Sequence, residues 1–244
     1  MKDHALFATI TGGLARDQDR GVIDRLWNQQ RDGRTGRGAA GKTREGRPQS
    51  RMTLVSQSAT MAPKATVIKA ELQVSDMDRH AYGTHVLTVA QHPSETEQRV
   101  MVRILAFALH ADERLEFGRG LSNEEEADLW RRDYTGDIEL WIDLGQPDES
   151  RVKKACGRAQ EVVVVNYGGR ASDLWWERAK PALERLKNLS VIDIPAEAVE
   201  QLAGLHQRAM RLNCMIQDGE VHLMGDTGEV VVRPACRQRG VRRA

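Results

Sequence analysis

The sequence predicts a mixed α/β protein, an α+β mixed sheet with flanking helices and added β-hairpins. Three observations predict it. Alternating segments at Thr66–Val74 and Thr84–Ala90 precede a stretch where apolar strands and helix-period segments take turns. Val162–Tyr167 is a continuous run led by four valines, as in a central strand buried on both faces. Asp218-Gly219, between two apolar segments, is the strongest short hairpin signal in the chain. Early hairpins followed by strand–helix alternation fit a sheet sandwiched by helices.

The elements follow in order. Thr66–Val74 and Thr84–Ala90 alternate as strands, and the polar link with Ser75, Asp76, Asp78 and Gly83 reads as a hairpin connection. Ser94 to His110 is predicted to be an amphipathic helix with Val100, Ile104, Phe107, Ala108 and Ala111 on one face. Leu115–Leu121 is a weak strand carrying Gly118 and Gly120, and Asp128–Tyr134 and Ile138–Leu144 form a strand pair joined at Gly136. Ile138, Leu140, Ile142 and Leu144 share one face of the second strand, and Glu139, Trp141 and Asp143 share the other. Helices are expected at Asp148–Ala159, at Ala171–Lys187 with Pro181 weakening its middle, and at Ala196–Ala209. Leu189–Ile194, Met210–Gln217, Val221–Met224 and Val230–Arg233 complete the strands.

The chain has 244 residues, 40% hydrophobic and 29% charged, with a formal net charge of +1. That balance fits a globular, soluble protein and gives no support to a general nucleic-acid binder, although a local patch is compatible with it. No apolar run reaches the ~18 residues of a membrane span. The first residues, MKDHALFATITGG, make a poor signal peptide. Three widely spaced cysteines with no C-x-x-C suggest neither a zinc ribbon nor a disulfide scaffold, and a reducing cytoplasm fits best. Residues 1–60 read as a basic, Gly/Arg-rich, disordered extension: Arg31 to Arg51 holds seven Lys/Arg, two acids and no apolar periodicity. Met61 stands directly before the patterned region and is expected to be the biological start. Residues 61–233 then form a single domain, and 234–244 a basic, solvated tail.

The chemistry concentrates at DLWRRDYTGDIELWIDLGQPDESRVKKA, which begins at Asp128. Asp128 and Asp143 lie 15 residues apart on strands paired through a tight turn, so their carboxylates can meet. Converging carboxylate oxygens suit a hard cation such as Mg²⁺ or Mn²⁺, which polarises a phosphate and activates water. Strand, acidic end, polar break and helix is the layout of a metal-dependent nuclease core. The competing reading leaves Asp128 at the end of an acidic loop and Asp143 on a solvated strand face. Trp141 beside Asp143 argues that this face is covered. Nucleases of this layout place a lysine two residues after the second acid to stabilise developing charge, and here that position is Gly145, followed by Gln146. Lys154, or Lys153, on the next helix could supply the ammonium, although an exposed helix face explains RVKKA better.

Other patterns carry less. Glu97 is a candidate third acid, but Ser94-x-x-Glu97 is also a capping box. Gly36 to Thr43 spells a phosphate-binding P-loop, yet WNQQRDGRT before it does not read as a buried strand nor REGRPQSR after it as a core helix, so the match is read as chance. Asp76-Met-Asp78-Arg-His80 resembles a metal cluster but falls in a polar turn, where Asp is common. Tyr167-Gly-Gly-Arg170 either binds an anion at a helix start or only makes the turn.

Taken together, KAELQVSDMDRH (69–80), HPSETEQRVMVRILAFALHADERLEFGRGLS (92–122), DLWRRDYTGDIELWIDLGQPDESRVKKACGRA (128–159), YGGRA (167–171), NLSVIDIPAE (188–197) and RLNCMIQDGEV (211–221) closely resemble the YaeQ family of bacterial proteins. The resemblance runs from Met61 to about Arg233 and leaves 1–60 outside. It implies a restriction-endonuclease-like PD-(D/E)xK fold. Carried over, Asp128 is the first acid, with Ala127 where the pattern has Pro, and Asp143-Leu-Gly145 is the second half, with Gly where Lys belongs. The family is also linked to transcription elongation. Two functions are expected. One is a Mg²⁺- or Mn²⁺-dependent nuclease or phosphodiesterase acting on nucleic acid, with Asp128, Asp143 and Glu97 as ligands and Gln146 or Lys154 as polar or charge-stabilising partner. The other is a catalytically inactive nuclease-fold protein that binds nucleic acid or the transcription machinery.

Overall fold

The computed structural model describes residues 65–118 and 125–243; the basic extension and the P-loop-like stretch lie outside the described residues. Two mixed sheets and four helices are seen among the described residues, in place of the single sheet expected. Strands β1 (Thr66–Asp76) and β2 (Ala81–Gln91) pair antiparallel, as their alternation requires. They do not join the later strands in one sheet. Instead β1 pairs parallel with β8 (Ala209–Gln217), which continues through β9 (Glu220–Gly225) to β10 (Gly228–Val232). The resulting order is β10-β9-β8-β1-β2. Asp218 and Gly219 make the β8–β9 turn with φ of 52° and 76°, as the Asp-Gly signal predicts.

The second sheet has the order β11-β7-β6-β5-β4-β3. Its strands are β3 (Leu115–Phe117), β4 (Leu129–Arg132), β5 (Ile138–Leu144), β6 (Ala159–Tyr167), β7 (Leu189–Ile194) and β11 (Ala235–Gln238). β5, β6 and β7 run parallel, and the β4–β5 hairpin is antiparallel. Val162 to Val165 are all buried, as a central strand demands. Most of the described residues of the 234–244 tail are exposed, as expected, but the tail is not free: Ala235–Gln238 form strand β11. β11 pairs antiparallel with the exposed edge of β7. Arg237 bridges Asp173 and Asp193, and Arg242 reaches Glu139. The edge of β7 and these carboxylates offer bonds that a free tail lacks.

Four helices complete the described residues: α1 (Glu97–Leu109), α2 (Glu149–Arg158), α3 (Arg170–Leu183) and α4 (Ala196–Ala203). One core holds the inner face of the five-stranded sheet, α1, α4 and, from the six-stranded sheet, Leu140, Ile142, Leu144, Val163 and Val165. A second core packs Trp141, Val162 and Val164 against α2 and α3. The layers are therefore sheet, helices, sheet, helices. This explains why α1 is not amphipathic along its middle: Val100 through Ala108 are all buried, because sheets cover it on both sides. Ile138 departs from its expected face and joins the second core, next to the register shift at Arg131/Arg132. The last helix ends at Ala203; residues 204–208, expected to continue it, form a turn and an irregular link, and Ala209 opens β8.

Candidate site at the carboxylate pair

The β4–β5 register sets Leu129 opposite Ile142, so Asp128 and Asp143 stand at neighbouring cross-strand positions. Asp128 is anchored at three points. Its carbonyl accepts from the Gly118 N–H (2.9 Å), Oδ2 accepts from the Leu144 N–H (2.8 Å), and Oδ1 accepts from Arg99 Nη2 (2.6 Å). Asp143 is only 1% exposed. Arg151, in the first turn of α2, clamps it at two points, Nε to Oδ2 at 2.9 Å and Nη2 to Oδ1 at 2.7 Å. Arg151 Nη2 also donates to the Glu126 carbonyl (2.7 Å), which fixes the acidic loop before β4. Burial pushes the Asp143 carboxyl above the ordinary aspartate value; Arg151 opposes the rise and the Asp128 charge adds to it.

A second charged chain reaches the pair from α1. Arg99 lies between Asp128 and Glu95, 3.5 Å from Glu95 Oε1. Burial alone would lower the Arg99 guanidinium; Asp128, the Tyr167 phenol and Glu95 outweigh it and hold it above its ordinary value. Glu95 is buried and pairs with buried Arg103 at 3.3 Å. Arg103 also donates to the Ala90 carbonyl (3.0 Å) and lies over the Phe117 ring. Arginine suits these sites because its planar fork satisfies several acceptors at once.

The structure brings together Asp128 and Asp143 but not the other sequence candidates. Glu97 opens α1 with its side chain 65% exposed, 3.6 Å from His206 Nδ1 just after α4. Thr96 rather than Ser94 is the N-cap, accepting from the Arg99 N–H at 3.2 Å, while Ser94 bonds His92. The capping box is therefore absent, and the acid near the pair is Glu95. Lys154, half exposed, pairs with Glu125, and Lys153 pairs with Glu149 one turn back, as a solvated helix face predicts. Gln146 donates to Asn166 and to the Tyr167 carbonyl, tying β5 to the end of β6. Gly145 has φ of +82°, a conformation that a lysine adopts only under strain, so the backbone here suits glycine. Among the described residues, no group of three or more His, Cys, Asp or Glu is placed to hold a metal ion.

The other acidic pattern is a turn device. Asp76 is clamped by Arg79, and Asp78 accepts the N–H groups of Asp218 (2.8 Å) and Gly219 (2.9 Å). Gly168 and Gly169 both have positive φ and form the bend into α3. Sequence reasoning missed Glu95, Arg99 and Arg151. The available signal was that a buried carboxylate requires a counter-charge, and Arg151 stands eight residues after Asp143 at a helix start. No described helix is long and apolar enough to cross a membrane.

Comparison with known proteins places this geometry in a family. Residues 61–234 match the YaeQ protein family. The uncharacterized protein YaeQ of Escherichia coli (strain K12) is 43% identical over 180 residues, covering 73% of this chain and 99% of that protein. The corresponding Salmonella typhi protein is 46% identical over 164 residues, 67% of this chain and 90% of its own length. The crystal structure of YaeQ protein from Xanthomonas axonopodis pv. citri is 61% identical with a TM-score of 0.71, covering 72% of this chain and 99% of that one. The Pseudomonas syringae YaeQ structure is 35% identical with a TM-score of 0.69, covering 72% and 97%. With the family matched across the whole patterned region and both solved relatives sharing the fold, the chain belongs to the YaeQ family.

Proposed function

We propose that this chain is a restriction-endonuclease-like scaffold that works by binding rather than by cutting, with a protein of the transcription machinery as its partner. The nuclease-like core is supported by element order: α1 precedes a β3-β4-β5 meander, and α2 carries the chain from β5 to parallel β6. The transcription setting comes from the family resemblance. The observation that carries the binding reading is the two-point Arg151 clamp on Asp143, together with Arg99 on Asp128. Mg²⁺ or Mn²⁺ needs carboxylate lone pairs in near-octahedral array, and here every oxygen of the pair already accepts a bond, from Arg151 at Asp143 and from Arg99 and the Leu144 N–H at Asp128. A protein partner fits better than nucleic acid because residues 61–244 carry 25 Lys and Arg against 29 Asp and Glu. Such a balance gives little counterion-release drive toward a phosphate backbone.

One observation favours the metal-dependent phosphodiesterase. Asp128 and Asp143 are cross-strand neighbours, and the Asp128 charge adds to the rise that burial imposes on the Asp143 carboxyl, a repulsion that a bound cation would relieve. Under that reading Arg151, not Lys154 or Gln146, supplies the charge missing at Gly145. Calorimetric titration of Mn²⁺ into the wild type and Asp128→Asn/Asp143→Asn separates the two. The binding scaffold gives flat traces for both proteins. Saturable heat in the wild type, lost in the double variant, would overturn it in favour of the phosphodiesterase.

A further inference from the structure

The layer between the two sheets is not filled where α1 stops. Beyond Leu109 an open cavity of about 320 Å³ remains. The ends of β1 and β8 and the β8–β9 turn form one wall; β6, β7 and the residues around β11 form the other. Leu109, Val163, Ile192, Ile216 and Val221 give it an apolar body. An apolar body of this small size with a few fixed polar groups is the make-up of a site for one small molecule.

Most charges around the cavity are already satisfied. Asp76 accepts from Arg79 Nε (2.6 Å) and from the Arg79 backbone N–H (2.8 Å), and Asp78 accepts the Asp218 and Gly219 N–H groups. Burial, Arg79 and Arg131 pull the His110 imidazole down to about 4, so it is neutral at physiological pH. Two charges remain. Glu161 lies on the inner face of β6, two residues before Val163 and opposite Leu140, both of which belong to the core. Arg239 follows β11 beside Ser190, whose hydroxyl accepts from the Gly240 N–H at 3.0 Å. A Cβ on Gly240 would lie 2.7 Å from the Leu189 backbone, so the chain is pressed onto β7 there and holds Arg239 at the cavity. Ser190 pairs with Val163, so Arg239 and Glu161 flank one stretch of inner face. Among the described residues, neither side chain has a hydrogen-bond or ion-pair partner, and the two do not meet each other.

We propose that this cavity binds a free α-amino acid with an apolar side chain, its ammonium on Glu161, its carboxylate on Arg239 and its side chain among Leu109, Ile192, Ile216 and Val221. A carboxylate and a guanidinium that line one cavity without meeting suit a ligand that carries both opposite charges. An α-amino acid joins an ammonium, a carboxylate and an apolar group in the fewest atoms. A simple anion would leave Glu161 as a like charge beside it, and a simple amine would do the same with Arg239, so each is selected against. The guanidinium fork also matches a carboxylate at two points. The cavity lies at the N-terminal end of β6, while Asp143 lies near the C-terminal end of parallel β5. The site is therefore separate from the carboxylate pair and independent of its role.

Isothermal titration of the full chain tests it, with L-leucine, L-methionine and L-phenylalanine as probes. At least one is expected to bind saturably at millimolar concentrations or below. The amine and acid analogues of the best binder keep its side chain and only one of its charges, and both are expected to bind more weakly. Glu161→Gln and Arg239→Gln are each expected to weaken the amino acid about tenfold or more, with the melting temperature unchanged because neither side chain has a partner to lose. Three results would overturn the proposal: no saturable binding of any of the three amino acids, an analogue that binds as tightly as its parent, or binding that either substitution leaves unchanged.

Discussion

Each sheet closes a strand on an aspartate that is 1% exposed: Asp76 at the end of β1 and Asp143 near the end of β5. Both are held by an arginine that follows them in sequence. Arg79 is three residues on and also gives Asp76 its own backbone N–H at 2.8 Å. Arg151 is eight residues on and meets Asp143 through its side chain only. Asp76 is thus part of a local turn that would form almost anywhere. Asp143 depends on α2 docking over β5, and it stands beside a second carboxylate whose charge it must tolerate. Buried acid alone therefore says little about function; the origin of its counter-charge says more.

The comparison breaks most directly at Arg151. Arg151→Ala leaves Asp143 buried and unpaired, and we expect a loss of about 3–4 kcal/mol at neutral pH. The pH dependence has a definite sign. An acid whose folded value is raised binds its proton more tightly in the folded state, so stability falls as pH rises from the ordinary aspartate value through the raised one. Removing the arginine raises Asp143 further, so the loss is smaller under mildly acidic conditions. Urea unfolding followed by tryptophan fluorescence at two pH values measures both. A loss below about 1 kcal/mol at neutral pH would mean that the clamp is incidental.

Arg79→Ala sharpens the contrast from the other side. The backbone N–H of residue 79 survives the substitution, so Asp76 keeps one charge-assisted bond. The expected cost is about 1–2 kcal/mol, clearly below that of Arg151→Ala. The same unfolding measurement decides it, and equal losses at the two sites would erase the distinction between a local and a tertiary clamp.

Much of this contrast could be seen in the residues. Ile138–Leu144 and Leu189–Ile194 occupy the bounds that their patterns predict, and the nearness of Asp128 to Asp143 follows from a hairpin register. Local periodicity carries such information. The split into two sheets was hidden because β1 and β8 pair across more than 130 residues, with no pattern in either strand naming its partner. β11 was hidden because Ala-Cys-Arg-Gln has no strand period and becomes a strand by meeting the edge of β7. Arg99 and Arg151 were hidden for the same reason. Each lies on a helix whose position over the carboxylates is a tertiary fact, and an Arg in a helix reads as solvated until the packing is known.

The smallest effect is at Asp78, which joins two hairpins that are distant in sequence. Its carboxylate accepts the N–H groups of Asp218 and Gly219, so the β1–β2 connection holds the β8–β9 turn. Both groups are exposed, and water replaces the carboxylate once it is removed. Asp78→Ala is therefore expected to cost about 1 kcal/mol or less. Its local signature is larger than its global one: the amides of Asp218 and Gly219 should exchange with solvent several-fold faster, while amides in β5 and β6 keep their protection. Asn at the same position retains one acceptor and should fall between. Unchanged exchange at Gly219 would mean that the Asp-Gly turn holds its shape unaided, leaving Asp78 a solvated turn residue with no part in joining the hairpins.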